Sequence, residues 1–195
     1  MNNLANKIVE IFENSIIPMT QNSVNEGNKI FGAAIIKKKD FSLFIAGTNN
    51  EIENPLWHGE VHTLKKYYEI PIESRPVEKD CFFISSHEPC SMCLSAITFA
   101  GFDNFYYLYP YEVTLNDFNI PHDLKILKEV FNVEKGKYNK ENFYWKCESI
   151  TNLIQALPNK ESKSLLISLN KIKKNYNDLS KLYQLNKKKN NIPLK

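Results

Sequence analysis

Arginine is nearly absent from this chain. Of 195 residues only Arg75 carries a guanidinium, against 24 lysines. Bidentate grips on phosphates and base edges favour arginine's planar fork, so its scarcity counts against sequence-specific recognition of nucleic acid. Long apolar runs are missing too. No stretch approaches the ~18 residues that a membrane helix needs. The first residues, 1–11, have apolar positions broken by Lys7 and Glu10. They lack the basic start, apolar centre and small-residue cleavage site of a secretory leader. The expectation is a soluble, cytoplasmic protein with no membrane partner. Cysteine is sparse, at Cys81, Cys90, Cys93 and Cys147. In a cytoplasmic setting two disulfides are disfavoured and core or metal roles are favoured. Cys81 opens an apolar stretch and reads as a small core hydrophobe; Cys147 reads the same way. No internal repeat is present.

Hydrophobic residues make up 43% of the chain, enough to build a core for one domain with an appendage. Residues 3–13 place Leu4, Ile8, Ile11 and Phe12 at helical spacing, and Pro18 is expected to interrupt or kink that helix. Residues 30–36 and 41–47 read as two strands joined by a four-residue loop. Gly32 inside the first of them implies that something approaches its backbone closely. Residues 57–68 read as a helix, 81–85 as a strand, 92–100 as a helix and 104–109 as a strand. Residues 110–121 give no clear pattern, 122–131 read as a helix, and 143–150 as a fifth strand running into another helix. This alternation indicates an α/β domain whose sheet is covered on both faces. Further on, Leu165, Leu169, Ile172, Tyr176, Leu179 and Tyr183 alternate steps of four and three, a heptad seam of nearly three repeats. So short a seam predicts a helix packed along the domain or across a dimer interface. Residues 159–195 carry ten lysines against Glu161 and Asp178, a net of +8 that leaves −5 for the rest. Such a basic extension can meet nucleic acid or simply stay solvated, and the solvated reading is preferred.

The chemistry concentrates in two short stretches. Pro89-Cys90-Ser91-Met92-Cys93 follows an apolar run and precedes a helical one, so both thiols fall in the first helical turn. There the positive end of the helix favours thiolates, and a Cys-x-x-Cys pair can hold one metal. Trp57-His58-Gly59-Glu60 supplies a third donor, His58, and a carboxylate two residues on. Three protein ligands leave the fourth tetrahedral position of zinc to water, the pattern of a catalytic site. Glu60 is placed to move that water's proton. Competing readings remain at this level. Cys-x-x-Cys alone also fits a thioredoxin-like redox pair. A structural zinc needs a fourth protein ligand, for which His62 or His87 can be nominated. His62 more readily serves as a polar helix or pocket residue, because Gly59, not a glutamate, directly follows His58.

These residues resemble the zinc nucleobase deaminases of the cytidine and deoxycytidylate deaminase-like superfamily. The resemblance covers about residues 3–132. Phe31-Gly32-Ala33-Ala34-Ile35 is similar to that family's first strand, and Gly47-Thr48-Asn49-Asn50 to the strand end carrying a base-binding asparagine. His58-Gly59-Glu60 is similar to the equivalent triplet of fungal cytosine deaminase. The run from Glu88 through Ile97 resembles the guanine deaminase and tRNA adenosine deaminase version. The resemblance implies a three-layer α/β/α sandwich with a mixed central sheet, with residues 1–157 as the deaminase domain and 158–195 as a lysine-rich helical extension. It implies one zinc held by His58, Cys90 and Cys93, and proton transfer by Glu60. It implies a base contacted by Phe31, by Asn49 or Asn50, by the Gly59 N–H and by the Glu88 carbonyl, with Trp57 narrowing the pocket. The implied function is hydrolytic deamination of an amino-substituted nucleobase, nucleoside or nucleotide by a homodimer, with release of ammonia. Two alternatives are carried: a tRNA-specific adenosine deaminase, and a non-catalytic RNA- or protein-binding member of the fold. Residues 110–117 do not match the segment typical of the tRNA enzymes, so a small-molecule substrate is preferred.

Overall fold

The computed structural model describes residues 2–195. Five strands, β1 (Gly32–Lys37), β2 (Leu43–Thr48), β3 (Cys81–His87), β4 (Asn104–Tyr109) and β5 (Lys146–Ser149), form one sheet in the order β2-β1-β3-β4-β5. β1 is antiparallel to both β2 and β3, while β3, β4 and β5 run parallel. The sheet is therefore mixed, as expected.

Strand alternation separates the two faces. Ala33 and Ile35 of β1, Phe83 of β3, and Phe105 and Tyr107 of β4 face one apolar cluster. Leu64 and Tyr67 of α3 (Gly59–Glu69) and Ile97 of α4 (Ser91–Phe99) cover it. Ala34, Ile36, Ile84 and Leu108 face the opposite cluster, which is covered by the N-terminal helices, α7 (Ile150–Gln155) and α8 (Asn159–Asn186). The result is three layers. Because both faces are covered, β1 and the first half of β3 read as continuous apolar runs. Cys81 and Cys147 are buried in the first cluster, as the sequence indicates. The unpatterned residues after β4 form α5 (Tyr111–Asn116), ahead of α6 (His122–Phe131).

Pro18 does not break the first helix. α1 (Asn2–Ile11) passes through a π-helical turn, Phe12–Ile16, into α2 (Ile17–Asn25). A proline ring clashes with the carbonyl four residues earlier and offers no N–H. The wider turn just ahead of Pro18 accommodates both effects, and Phe12 and Ile16 stay buried. Gly32 is indeed closely approached. A Cβ on Gly59 would lie 2.9 Å from the Gly32 Cα, so the start of α3 rests directly on β1.

The heptad residues Leu165, Leu169, Ile172, Tyr176, Leu179 and Tyr183 are all buried. Their cover is the chain's own α1, α2 and α7. Of the two expected settings for this helix, packing along the domain is the one observed. Lys163, Lys171, Lys174 and Lys181 are exposed, and Lys173 pairs with Asp117 at 2.7 Å. Among the described residues no helix is long and apolar enough to cross a membrane. Ile172→Ala should cost about 2–5 kcal/mol of stability in urea denaturation, whereas Lys171→Ala should stay within about 0.5 kcal/mol of wild type.

His87 ends β3 inside an aromatic cage. Its ring lies 4.4 Å from Phe31, 5.2 Å from Tyr109, 5.3 Å from Phe118 and 5.4 Å from Tyr176. Ser86 Oγ sits 2.8 Å from its Nδ1. Burial among these rings holds its pKa well below the usual histidine value. In the unfolded chain it takes a proton below about pH 6.5; in the fold it does not. Its contribution to stability is therefore complete above that pH and is lost as pH falls. Between pH 6.5 and 5 the wild type should lose up to about 1.4 kcal/mol per pH unit through this residue. His87→Phe should flatten that slope in urea titrations.

Candidate metal centre and active site

Two helix starts converge on one point. His58 is the N-cap of α3 and Cys90 the N-cap of α4, both with extended backbone, and neither side chain caps its own helix. Cys93 lies in the first turn of α4. Each helix therefore turns the positive end of its dipole toward the cluster. His58 Nδ1 is 3.5 Å from Cys90 Sγ and 3.8 Å from Cys93 Sγ, and the two sulfurs are 3.5 Å apart. Zn–S bonds of about 2.3 Å and Zn–N bonds of about 2.0 Å in a tetrahedron demand S···S of roughly 3.8 Å and N···S of roughly 3.6 Å. The donor set fits a single tetrahedral ion and can hold a metal. A disulfide is not formed; both cysteines are free.

The charges in the cluster are strongly coupled. The hydrogen bond from the Cys93 thiol and the neighbouring His58 hold the Cys90 pKa well below the thiol range. Burial, together with the Cys90 thiolate and Glu60, pushes the Cys93 thiol up. For His58, burial disfavours the proton, but Cys90, Glu51 and Glu60 outweigh it and raise its pKa to about 9. The carboxyl of Glu60 is buried. Ser85 Oγ donates to its Oε1 at 2.9 Å, and its Oε2 lies 3.3 Å from Cys93 Sγ. Burial, reinforced by the Cys90 charge, raises its pKa, which eases proton uptake by this carboxyl.

A cavity of about 340 Å³ opens onto this cluster. His58, Cys90 and Phe31 line it, as do Leu56, Met92 and Ile120. Glu60 and Cys93 lie one layer deeper. Asn49, Trp57, Gly59 and Glu88 are not among the lining residues. Asn49 points inward, with its Oδ1 accepting from the Gly59 N–H at 2.5 Å and its Nδ2 donating to Glu51 at 2.7 Å. Asn50 turns outward to Glu53. The Trp57 ring lies 6.0 Å from Lys65 Nζ. The Glu88 side chain binds Tyr138 and Lys140, both at 2.9 Å. His62 turns away from the cluster and bonds the Thr48 carbonyl at 2.8 Å, so it is no fourth ligand; the caged His87 is none either.

Three charged residues on the cavity wall escape a reading of the sequence: Lys29, Glu51 and Asp123. Lys29 and Glu51 form a buried ion pair at 2.7 Å. Asp123 sits in the first turn of α6, and its carboxyl makes no hydrogen bond or ion pair among the described residues. Burial, with the Cys90 charge, raises its pKa to about 8. The one available signal was an acidic residue opening a helix after Pro121, and that pattern is read ordinarily as a favourable helix start. Ile192, Pro193 and Leu194 complete the wall.

Residues 8–109, just over half of the chain, match the family described as the cytidine and deoxycytidylate deaminase zinc-binding region. No curated protein matches the sequence. Among solved structures the chain is similar to guanine deaminase from Bacillus subtilis, at 25% identity and TM-score 0.52, over 69% of this chain and 85% of that one. It is also similar to guanine deaminase from Nitrosomonas europaea, at 16% identity and TM-score 0.48, over 84% and 81%. A tRNA:A34 deaminase of the wobble position follows at 17% identity and TM-score 0.46, over 70% and 96%. With the family match centred on the stretches that bring His58, Cys90 and Cys93 together, the chain belongs to the cytidine and deoxycytidylate deaminase family of zinc-binding deaminases.

Proposed function

We propose that this protein is a zinc-dependent hydrolytic deaminase of a small amino-substituted nucleobase or nucleoside. The observation that carries the reading is the tetrahedral spacing of His58 Nδ1, Cys90 Sγ and Cys93 Sγ at the inner end of a cavity, beside a buried carboxyl. His58, Cys90 and Cys93 hold the zinc. The bound ion would supply Lewis acidity that activates water near neutral pH. Glu60 takes up a proton at Oε2 and returns it to the departing amino nitrogen. One water enters, the exocyclic C–N bond is replaced by C=O, and one ammonia leaves. Phe31, held edge-on by His87, offers a ring face to the base.

The cavity is at the small end of ligand pockets, and residues 192–194 close one side of it. Both features suit a free base or nucleoside better than an anticodon loop. Asp123 adds a carboxyl to the polar groups of this wall. With its pKa raised to about 8, Asp123 is a neutral carboxyl near pH 7, with one O–H to donate and a carbonyl oxygen to accept, which suits a base edge that carries an acceptor beside a donor.

Zinc-loaded protein offered guanine, cytosine, adenine, their nucleosides and tRNA should release ammonia from a free base or nucleoside; turnover of tRNA alone would contradict the reading. Glu60→Gln should keep the metal and lose about 10²- to 10⁴-fold in rate. Cys90→Ala should lose the metal itself, seen by elemental analysis. Asp123→Asn should retain zinc and lower kcat/KM by about 2- to 10-fold, the worth of one neutral hydrogen bond. An unchanged kcat/KM in that variant would remove Asp123 from substrate recognition.

A further inference from the structure

We propose that Glu51 is the positioning residue for His58, fixing which imidazole nitrogen faces the metal. The inference rests on the zinc reading above and goes beyond it. A histidine can offer either ring nitrogen, and the choice is set by what the other nitrogen bonds. Here Nδ1 faces the two sulfurs, and Nε2 lies 3.6 Å from Glu51 Oε1. A carboxylate only accepts, so it selects the tautomer with hydrogen on Nε2 and leaves the Nδ1 lone pair to the metal.

The carboxylate is itself held from two sides. Its Oε1 accepts from Lys29 Nζ at 2.7 Å, and its Oε2 accepts from Asn49 Nδ2 at 2.7 Å. Asn49 in turn accepts the Gly59 N–H. One buried group thus steadies both the His58 ring and the first backbone N–H of the helix that carries Glu60. Stability alone is a poor explanation for the pair. A buried Lys–Glu bridge is often no better than apolar residues of the same volume, and Glu51 and Lys29 side chains are only 1% and 5% exposed. Their placement against His58 accounts for both.

Single removal of Glu51 would strand Lys29 in the interior, so the test uses Lys29→Met/Glu51→Gln, with Lys29→Met as its partner. Zinc affinity is measured by chelator competition, and folding of the zinc-free proteins by circular dichroism. The double variant should fold and bind zinc about 10- to 100-fold more weakly, the usual effect of losing such an outer partner. Lys29→Met, which keeps the carboxylate beside His58 but removes one of its supports, should bind zinc more tightly than the double variant. Nitrogen-15 NMR of the zinc-loaded wild type should show His58 protonated at Nε2. Equal zinc affinity in wild type and double variant overturns the proposal. So does an equal loss in Lys29→Met, which would make the ion pair a structural element only. Wild-type protein that takes up no zinc would overturn the deaminase reading as well.

Discussion

Everything in this molecule depends on bringing two helix starts within bonding range of one point. His58 and Cys90 are 32 positions apart in the chain, yet each caps a helix that leaves the same end of the sheet. The approach works only because two glycines meet. Gly59 rests on Gly32 with no room for a Cβ of its own, and a methyl added to Gly59 would have to push α3 off β1, whereas one added to Gly32 would meet the Ile16 side chain at 2.7 Å. Such overpacking typically costs about 1–3 kcal/mol. At Gly59 it would also widen the nitrogen–sulfur distances that fit one ion.

The opposite face of the sheet serves the site at one remove. α8 fills the layer beneath β1, β3 and β4 with its buried seam, and Tyr176 reaches the cage around His87. His87 in turn packs edge-on against Phe31, which lines the cavity. The chain of contact from extension to cavity is made of aromatic rings, which pack with defined geometry. A basic helix that looked separable from the domain is thus part of the support for the cavity wall.

Much of this was legible from residue pattern. β4 and α6 fall where their apolar spacing puts them, and the heptad positions of α8 are all buried. The candidate donors His58, Cys90 and Cys93 were legible because cysteine pairs and a nearby His-x-Glu are rare and chemically specific. What escaped has a common physical cause. Glu51 and Asp123 are acidic residues in a loop and a first helical turn, where acids are normally solvated, and only tertiary placement turns them inward. Pro18 misled for a different reason: a π-helical turn absorbed the missing donor without breaking the helix. The resemblance put Asn49 or Asn50 against a base; Asn49 is the one that points inward, and its amide is spent on Gly59 and Glu51.

The central claim is that a nitrogen and two sulfurs from these helix starts bind one zinc and leave a position for chemistry. X-ray absorption at the zinc edge of the purified wild-type protein tests it most directly. The account predicts one zinc per chain with two sulfur neighbours near 2.3 Å and two light-atom neighbours near 2.0 Å. A shell of four sulfurs, a closed set of four protein donors, or no bound zinc would contradict it.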